Sequence, residues 1–359
     1  MITRVVKYPL ILIILLIIVP VFGNPTFEEA HENKERLNPG KMIIDHIVDS
    51  HELHIATIGE THISIPLPII LYSKYTGFHA FLSSKFHHGH SRYKNFELVK
   101  SGKNKGKIVE YDQNGQLLES NPIDLSIKKN VVGFMLGIII TFLLIHKALK
   151  IAQDREGLPP RGILSAVEPL ILFVRDDVAK ASISHHPDKY VPFLLSVFFM
   201  ILITNLSGLI PIVPFGANVT GNLSVTLGLA LFSFLMINTH ANRLYWKHIY
   251  NTPGVPWWMK FPIPIMPFVE FLGIILKPLV LAIRLFANIL AGHIVVLAFL
   301  SLIFIFGQMS IVAASGVAPL SMLFVLFIWT LELLVAFIQA YVFTLLTAIF
   351  IGLAVAEHH

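Results

Sequence analysis

Leu281-Ala282-Ile283-Arg284-Leu285-Phe286-Ala287-Asn288-Ile289-Leu290-Ala291-Gly292-His293 decides how the rest of the chain is read. It sets a guanidinium, which cannot lose its proton, inside an apolar segment long enough to cross a bilayer. An arginine at the centre of such a helix costs at least ~2.5–3.5 kcal/mol. Near a helix end it would snorkel to the headgroups, or a structural carboxylate would hold it. Here apolar residues continue for several turns on both sides. Arg284 therefore reads as a functional charge facing a protein partner or an aqueous cavity.

Working outward, 55% of the 359 residues are hydrophobic and 14% charged. The apolar residues fall in runs of about twenty or more, which marks a polytopic membrane protein. The net charge of +5 comes from Lys and Arg in loops and in the amino-terminal third. Membrane topology demands that placement, and nucleic acid is not an expected partner. The absence of cysteine excludes a disulfide framework, a thiol nucleophile and a Cys-ligated metal. Gly102-Lys103-Asn104-Lys105-Gly106-Lys107-Ile108 has the wrong spacing for a nucleotide loop. No cofactor is expected.

Residues 1–23 have the layout of a signal peptide: basic Arg4 and Lys7, an apolar core, then Pro20-Val21-Phe22-Gly23. Residues 24–126 are polar, with short alternating runs at His54-Ile55-Ala56-Thr57 and His62-Ile63-Ser64-Ile65. A hairpin signal, Asn114-Gly115, separates 107–112 from 116–119. These features predict a small β-rich extramembrane module. Its histidines (His46, His51, His54, His62, His79, His87, His88, His90) match no zinc spacing, and solvated or strand-face positions are the expectation.

The membrane domain, 127–359, is expected to be all-α. It has about five transmembrane or intramembrane helices plus one interfacial helix. A first span opens at 131–145, and His146, Lys147, Lys150, Arg155, Arg161, Arg175, Lys180 and Lys189 follow it, placing that segment in the cytoplasm by the positive-inside rule. Within it Ile163, Leu164, Val167, Leu170, Ile171 and Val174 recur at helical spacing opposite Glu168, Arg175 and Asp176, despite Pro169. That predicts a helix lying along the interface. Spans at 190–213 and 221–238 come next, joined by a segment without Lys or Arg. Polar Asn205, Ser207, Asn218, Thr220, Asn222, Ser224 and Thr226 lie toward their outer ends. Residues 262–306 and 321–356 then form two long antiparallel helices, punctuated by Gly307, Gly316 and Pro319. Each exceeds the length of a perpendicular span, so both should be tilted or bent.

Charged and titratable groups in this hairpin are few: Glu270, Lys277, Arg284 and His293 on the first arm and Glu332 on the second, with polar Asn288 and Gln339. Steps of seven rotate a helix only about −20°, so Glu270, Lys277 and Arg284 share a face with Asn288. His293, nine residues past Arg284, lies about 180° around. If Gln339 is level with Arg284, the rise places Glu332 nearly level with His293, about 10–14 Å further out. Two tiers result: a permanent cation with an amide at mid-membrane, and a titratable His/Glu pair toward the outside. A His and a carboxylate can pass protons, whereas an Arg cannot.

Arg284-Leu285-Phe286-Ala287-Asn288 with Ala291-Gly292-His293, the segment running from Glu332 through Gln339 to Leu346, and Asn205-Leu206-Ser207-Gly208-Leu209-Ile210-Pro211 together resemble the signature helices of subunit a of the F-type ATP synthase. The resemblance covers about residue 131 to the C-terminus. It implies that Arg284 faces a rotor ring of c subunits, with Asn288 and Gln339 nearby. It also implies an outer half-channel lined by Asn205, Asn218, Asn222, Ser224, His293 and Glu332, and a cytoplasmic one near Glu270 and Lys277. Some members exchange the two residue types of the His293/Glu332 pair. The implied partners are the c ring, b-type peripheral stalk subunits, the catalytic head and membrane lipid. The implied place is a bacterial plasma membrane, with the amino-terminal module outside and the C-terminus cytoplasmic. The amino-terminal module is larger than in compact members. The alternative is a stand-alone secondary transporter or proton channel, but an internal repeat or matched pair of broken helices is not visible.

Overall fold

The computed structural model describes residues 49–58, 61–87, 89, 91–99, 106–112, 115–118, 120–155, 157–210, 219–251 and 265–356, without the side chains of 54–58, 61–63 and 265. The leader at 1–23, His46, His88, His90 and Asn218 lie outside the described residues, as do the side chains of His54 and His62.

The amino-terminal module is built from short antiparallel strands. The alternating segments pair as β1 (Glu52–Ile58) and β2 (Thr61–Pro66), with a bulge between His54 and Ala56. β3 (Pro68–Ser73) is the centre of a second sheet, between β4 (Gly77–Leu82) and β7 (Ile123–Asp124). β5 (Phe96–Leu98) and β6 (Ile108–Glu110) make a third. Strand alternation sends Ile69 and Leu71 inward against Phe86, Phe96 and Ile108. Glu110, a buried acid in this core, accepts hydrogen bonds from Ser73 Oγ (2.5 Å) and Thr76 Oγ1 (2.7 Å). The hairpin expected at Gly115 is present: the Asp112 N–H donates to the Gln116 carbonyl and Leu118 N–H to that of Glu110.

The module is locked to the first membrane helix, α1 (Lys129–Asp154). Lys129 N–H donates to the Ser50 carbonyl (2.9 Å), and the Asp49 carboxylate accepts from Asn130 N–H (3.1 Å), satisfying donors that a helix start leaves open. Buried His51 holds Asp124 through Nε2 (3.1 Å), and Lys128 Nζ lies 3.0 Å from the same carboxylate. Burial alone would push the Asp124 carboxyl up, but the His51 hydrogen bond, Lys128 and the Ser126 side chain together hold it well below the usual carboxylate range. A lowered carboxylate pKa contributes stability above the unfolded value of about 3.9, lost as pH falls through the folded value. Asp124→Asn should therefore speed amide hydrogen exchange at Lys129 and Asn130 at neutral pH, and the difference from wild type should shrink under acid.

In the membrane domain α2 (Ile163–Phe173) continues through a π-helical turn, Val174–Lys180. Leu164, Val167 and Val174 are buried along the stripe that the spacing predicts. α3 (Val191–Leu209) is apolar all round and central, with 78% of its span buried. α4 (Leu223–Thr239) bends by 102° into the short α5 (Arg243–Tyr250). α6 (Ile265–Met309) and α7 (Ile311–Val355) are 45 residues each. A helix of that length is about 65 Å long, against about 30 Å of hydrocarbon, so both must tilt steeply or bend.

The expected connection between these two arms is corrected. Gly307, Gly316 and Pro319 do not break the chain: α6 runs to Met309 and α7 begins at Ile311, with Pro319 inside it. Ser310 makes the turn alone, in extended backbone, its hydroxyl accepting from Ala313 N–H (3.0 Å). That cap satisfies a starting donor eight residues earlier than proline punctuation implies.

α7 lies between α6 and α3, and α4 packs against α6. Near its end, a Cβ on Gly352 would run into the Ser182 carbonyl, with the carbonyl carbon at 3.1 Å. Glycine there lets α7 touch the backbone after the π-helical turn. α6 and α7 nevertheless bury only 11% and 17% of their spans. As apolar as α3 but uncovered, they present the broad surface of the domain.

Candidate functional site

α6 has two unlike sides. Leu281, Ala282, Leu285 and Ile289 are buried against the bundle. The other side carries Lys277, Val280, Arg284, Ala287, Asn288 and Ala291, all exposed. Their positions follow the helical period, which puts Arg284 in the middle of the open face. No described residue forms an ion pair or hydrogen bond with Arg284. Ala287 and Ala291 leave the surface beside it low, and small side chains of this kind admit another helix at close range. Sequence reasoning passed over these alanines, although their spacing of three and seven from Arg284 is legible.

Behind this face, α7 turns Glu332, Ala336 and Gln339 inward, all buried, while Leu333, Leu334 and Ile338 face out. Glu332 is 8% exposed, and its Oε1 accepts no hydrogen bond from any described residue. Its side chain lies against the backbone of Gly292, where a Cβ would stand 2.8 Å from its Cδ and 2.9 Å from its Cγ. His293, the next residue, is half-buried. Glu332 is thus level with the Gly292-His293 peptide, and since Gly292 follows Arg284 by eight residues its Cβ direction, toward Glu332, lies only about 80° around α6 from that of Arg284. Gly292 is a second residue that sequence reasoning quoted without giving it a task.

The polar residues of the earlier spans are engaged within the protein. Asn205, 2% exposed, donates from Nδ2 to the Ala336 carbonyl (3.3 Å) and accepts from the Thr220 hydroxyl (2.7 Å). It braces α3 and the turn before α4 against α7, midway between Glu332 and Gln339. Asn222 caps α4 by accepting from Ser224 N–H (2.9 Å). Toward the other end of α6, Lys277 Nζ lies 5.2 Å from the Phe350 ring centroid, and Glu270 is half-buried. In the module His51 is bonded to Asp124 and His79 sits edge-on to Phe96. Among the described residues no three His, Asp or Glu side chains come together as a metal site.

A multi-pass bundle whose last two helices expose an uncompensated arginine on one side, and bury a carboxylate behind it, defines an intramembrane ion-translocating protein with an open working face. Comparison with known proteins makes this particular. A family model described as ATP synthase A chain matches residues 131–352, and the chain belongs to that family. A second model, a domain of unknown function (DUF8433), matches residues 42–130. The ATP synthase subunit a of Chloroherpeton thalassium is 41% identical over 67% of this chain and 70% of its own length. That of Chlorobium phaeobacteroides is 42% identical over 66% and 67%. The Myxococcus xanthus protein is 41% identical over 73% and 83%. The chain is accordingly a non-catalytic, proton-translocating membrane-sector subunit that assembles with the rest of an ATP synthase. Nothing in these relatives favours a stand-alone transporter.

Proposed function

We propose that Arg284 faces the c ring and separates two proton half-channels, and that Glu332 and His293 form the last step of the outer one. The observation that carries this reading is the unpaired, exposed guanidinium on a helix face lowered by Ala287 and Ala291. A ring carboxylate arriving at that face meets a fixed positive charge that favours its ionised form. Its proton then leaves toward the cytoplasm past Lys277 and Glu270. From the outside, protons pass the wall formed by Asn205, Asn218, Asn222 and Ser224, reach Glu332 and His293, and protonate the next ring site, whose neutral form can enter lipid. Gln339 and Asn288 line the approach to Arg284. Each charge moved through 100 mV supplies ~2.3 kcal/mol toward rotation.

In this reading the b-type stalk holds the subunit against the turning ring, and ATP chemistry belongs to the catalytic head. The protein sits in a bacterial plasma membrane, with its amino-terminal module outside and its C-terminus in the cytoplasm.

The test is ATP-driven acidification of inverted vesicles carrying His293→Glu, Glu332→His or both. Each single change should lower the rate about tenfold or more, and the double exchange should recover a clear part of it. A double variant no better than the worse single change would dismiss the pairing.

A further inference from the structure

The outer face of the β4-β3-β7 sheet has no business being apolar if water covers it. An antiparallel sheet with one buried face normally alternates to polar residues on the other. Here the inward residues are Ile69 and Leu71, but the outward ones are apolar as well. Tyr72 stands opposite both Phe78 and Ile123, which makes a continuous row across three strands. These three are 51%, 66% and 46% exposed, and Leu82 (50%) and Leu125 (38%) extend the face along the strands. Pro68, Ile70 and Ala80 complete its outward positions, so no charged side chain interrupts it.

The position of this sheet identifies what meets it. Its ladder continues past β7: the Leu125 N–H donates to the Ile70 carbonyl and the Ile127 N–H to that of Pro68, two residues before α1 begins. The bonds of Lys129 to Ser50, Asn130 to Asp49 and His51 to Asp124 then fix the module to the helix, so it cannot swing clear of the bilayer. The apolar run of α1 from Val131 to Ile145 rises only about 21 Å. That is short of about 30 Å of hydrocarbon, and a short span draws its flanking residues toward the interface. The Tyr, Phe and Leu composition suits the headgroup boundary, where aromatic rings settle. A sheet standing upright would leave the Tyr72–Phe78 pair in water, about 13 Å along the strand from Leu82.

We infer that the outer face of the β4-β3-β7 sheet lies flat on the lipid headgroup interface beside α1, as a foot that seats the module on the membrane. This depends on α1 spanning the bilayer and not on the proton-path reading. The chain contains no cysteine, so single sites can be spin-labelled in the assembled complex, with the unsubstituted complex as the blank. Phe78→Cys and Leu82→Cys would be labelled in proteoliposomes, with exposed Lys107→Cys as the aqueous control. At 78 and 82 relaxation by oxygen should exceed that by a water-soluble nickel chelate by severalfold, with the reverse at 107. Nickel accessibility at 78 equal to that at 107 would place the face in water. Exclusion of both agents at 78 and 82 would mean that a protein covers it. Either result overturns the inference.

Discussion

Arg284→Ala should abolish ATP-driven proton pumping while leaving the complex assembled. The guanidinium stands exposed on α6 and no described group depends on it for a hydrogen bond, so its removal breaks nothing inside the subunit. In the proposed mechanism it removes the charge that makes a ring carboxylate release its proton on one side and the barrier that stops protons crossing directly. An alanine also takes away the cost of at least ~2.5–3.5 kcal/mol for holding Arg at mid-membrane, so the subunit itself should be no less stable. The measurement has two arms in inverted vesicles. ATP-dependent acidification should fall to background, and an imposed proton gradient should decay faster than in wild type. Gln339→Ala, which alters a buried neutral amide, should act more mildly. Acidification at the wild-type rate in Arg284→Ala vesicles would remove the residue from the mechanism.

Much of this arrangement is legible in the sequence because membrane helices are read through two strong signals, apolar length and the cost of charge. The period of α6 separates Arg284 from His293, and the rise along two antiparallel arms brings Glu332 level with the Gly292-His293 peptide. The failures have a physical pattern too. Ser310 takes over the turn because one capping hydroxyl suffices where three helix-breaking residues seem to demand a loop. The bonds of Asn205 to Thr220 and the Ala336 carbonyl are hidden from the sequence because they join positions far apart in the chain. Hydrophobicity likewise cannot distinguish α3, which is buried, from α6 and α7, which are not, since all three contain stretches of comparably high mean hydropathy. The apolar outer sheet face is hidden for a similar reason: its row of Phe78, Tyr72 and Ile123 exists only after β7 joins β3 across fifty residues.

Gly292→Ala should cut proton pumping by about tenfold to a hundredfold with normal assembly, and Gly292→Ala combined with Glu332→Asp should regain part of the loss. A Cβ at 292 meets Glu332 at 2.8–2.9 Å from its Cδ and Cγ, closer than carbon atoms pack. The obstacle is the end of a flexible side chain, so Glu332 gives way and the helices stay where they are. Giving way moves a buried carboxylate by about 1 Å, and a misplacement of that size at a reacting group can cost about 10²-fold. Aspartate is one methylene shorter and withdraws the carboxylate from the new methyl, which is why it should rescue. Gly352→Ala provides the contrast, because there the added methyl meets the backbone of Ser182, which cannot rotate away. Overpacking of that kind costs about 1–3 kcal/mol, so Gly352→Ala should lower the amount of assembled complex, not its activity per complex. Blue-native gels with vesicle acidification separate the two outcomes. Equal loss of assembly in both variants would mean that Gly292 serves packing alone and that the place of Glu332 behind α6 has no part in moving protons.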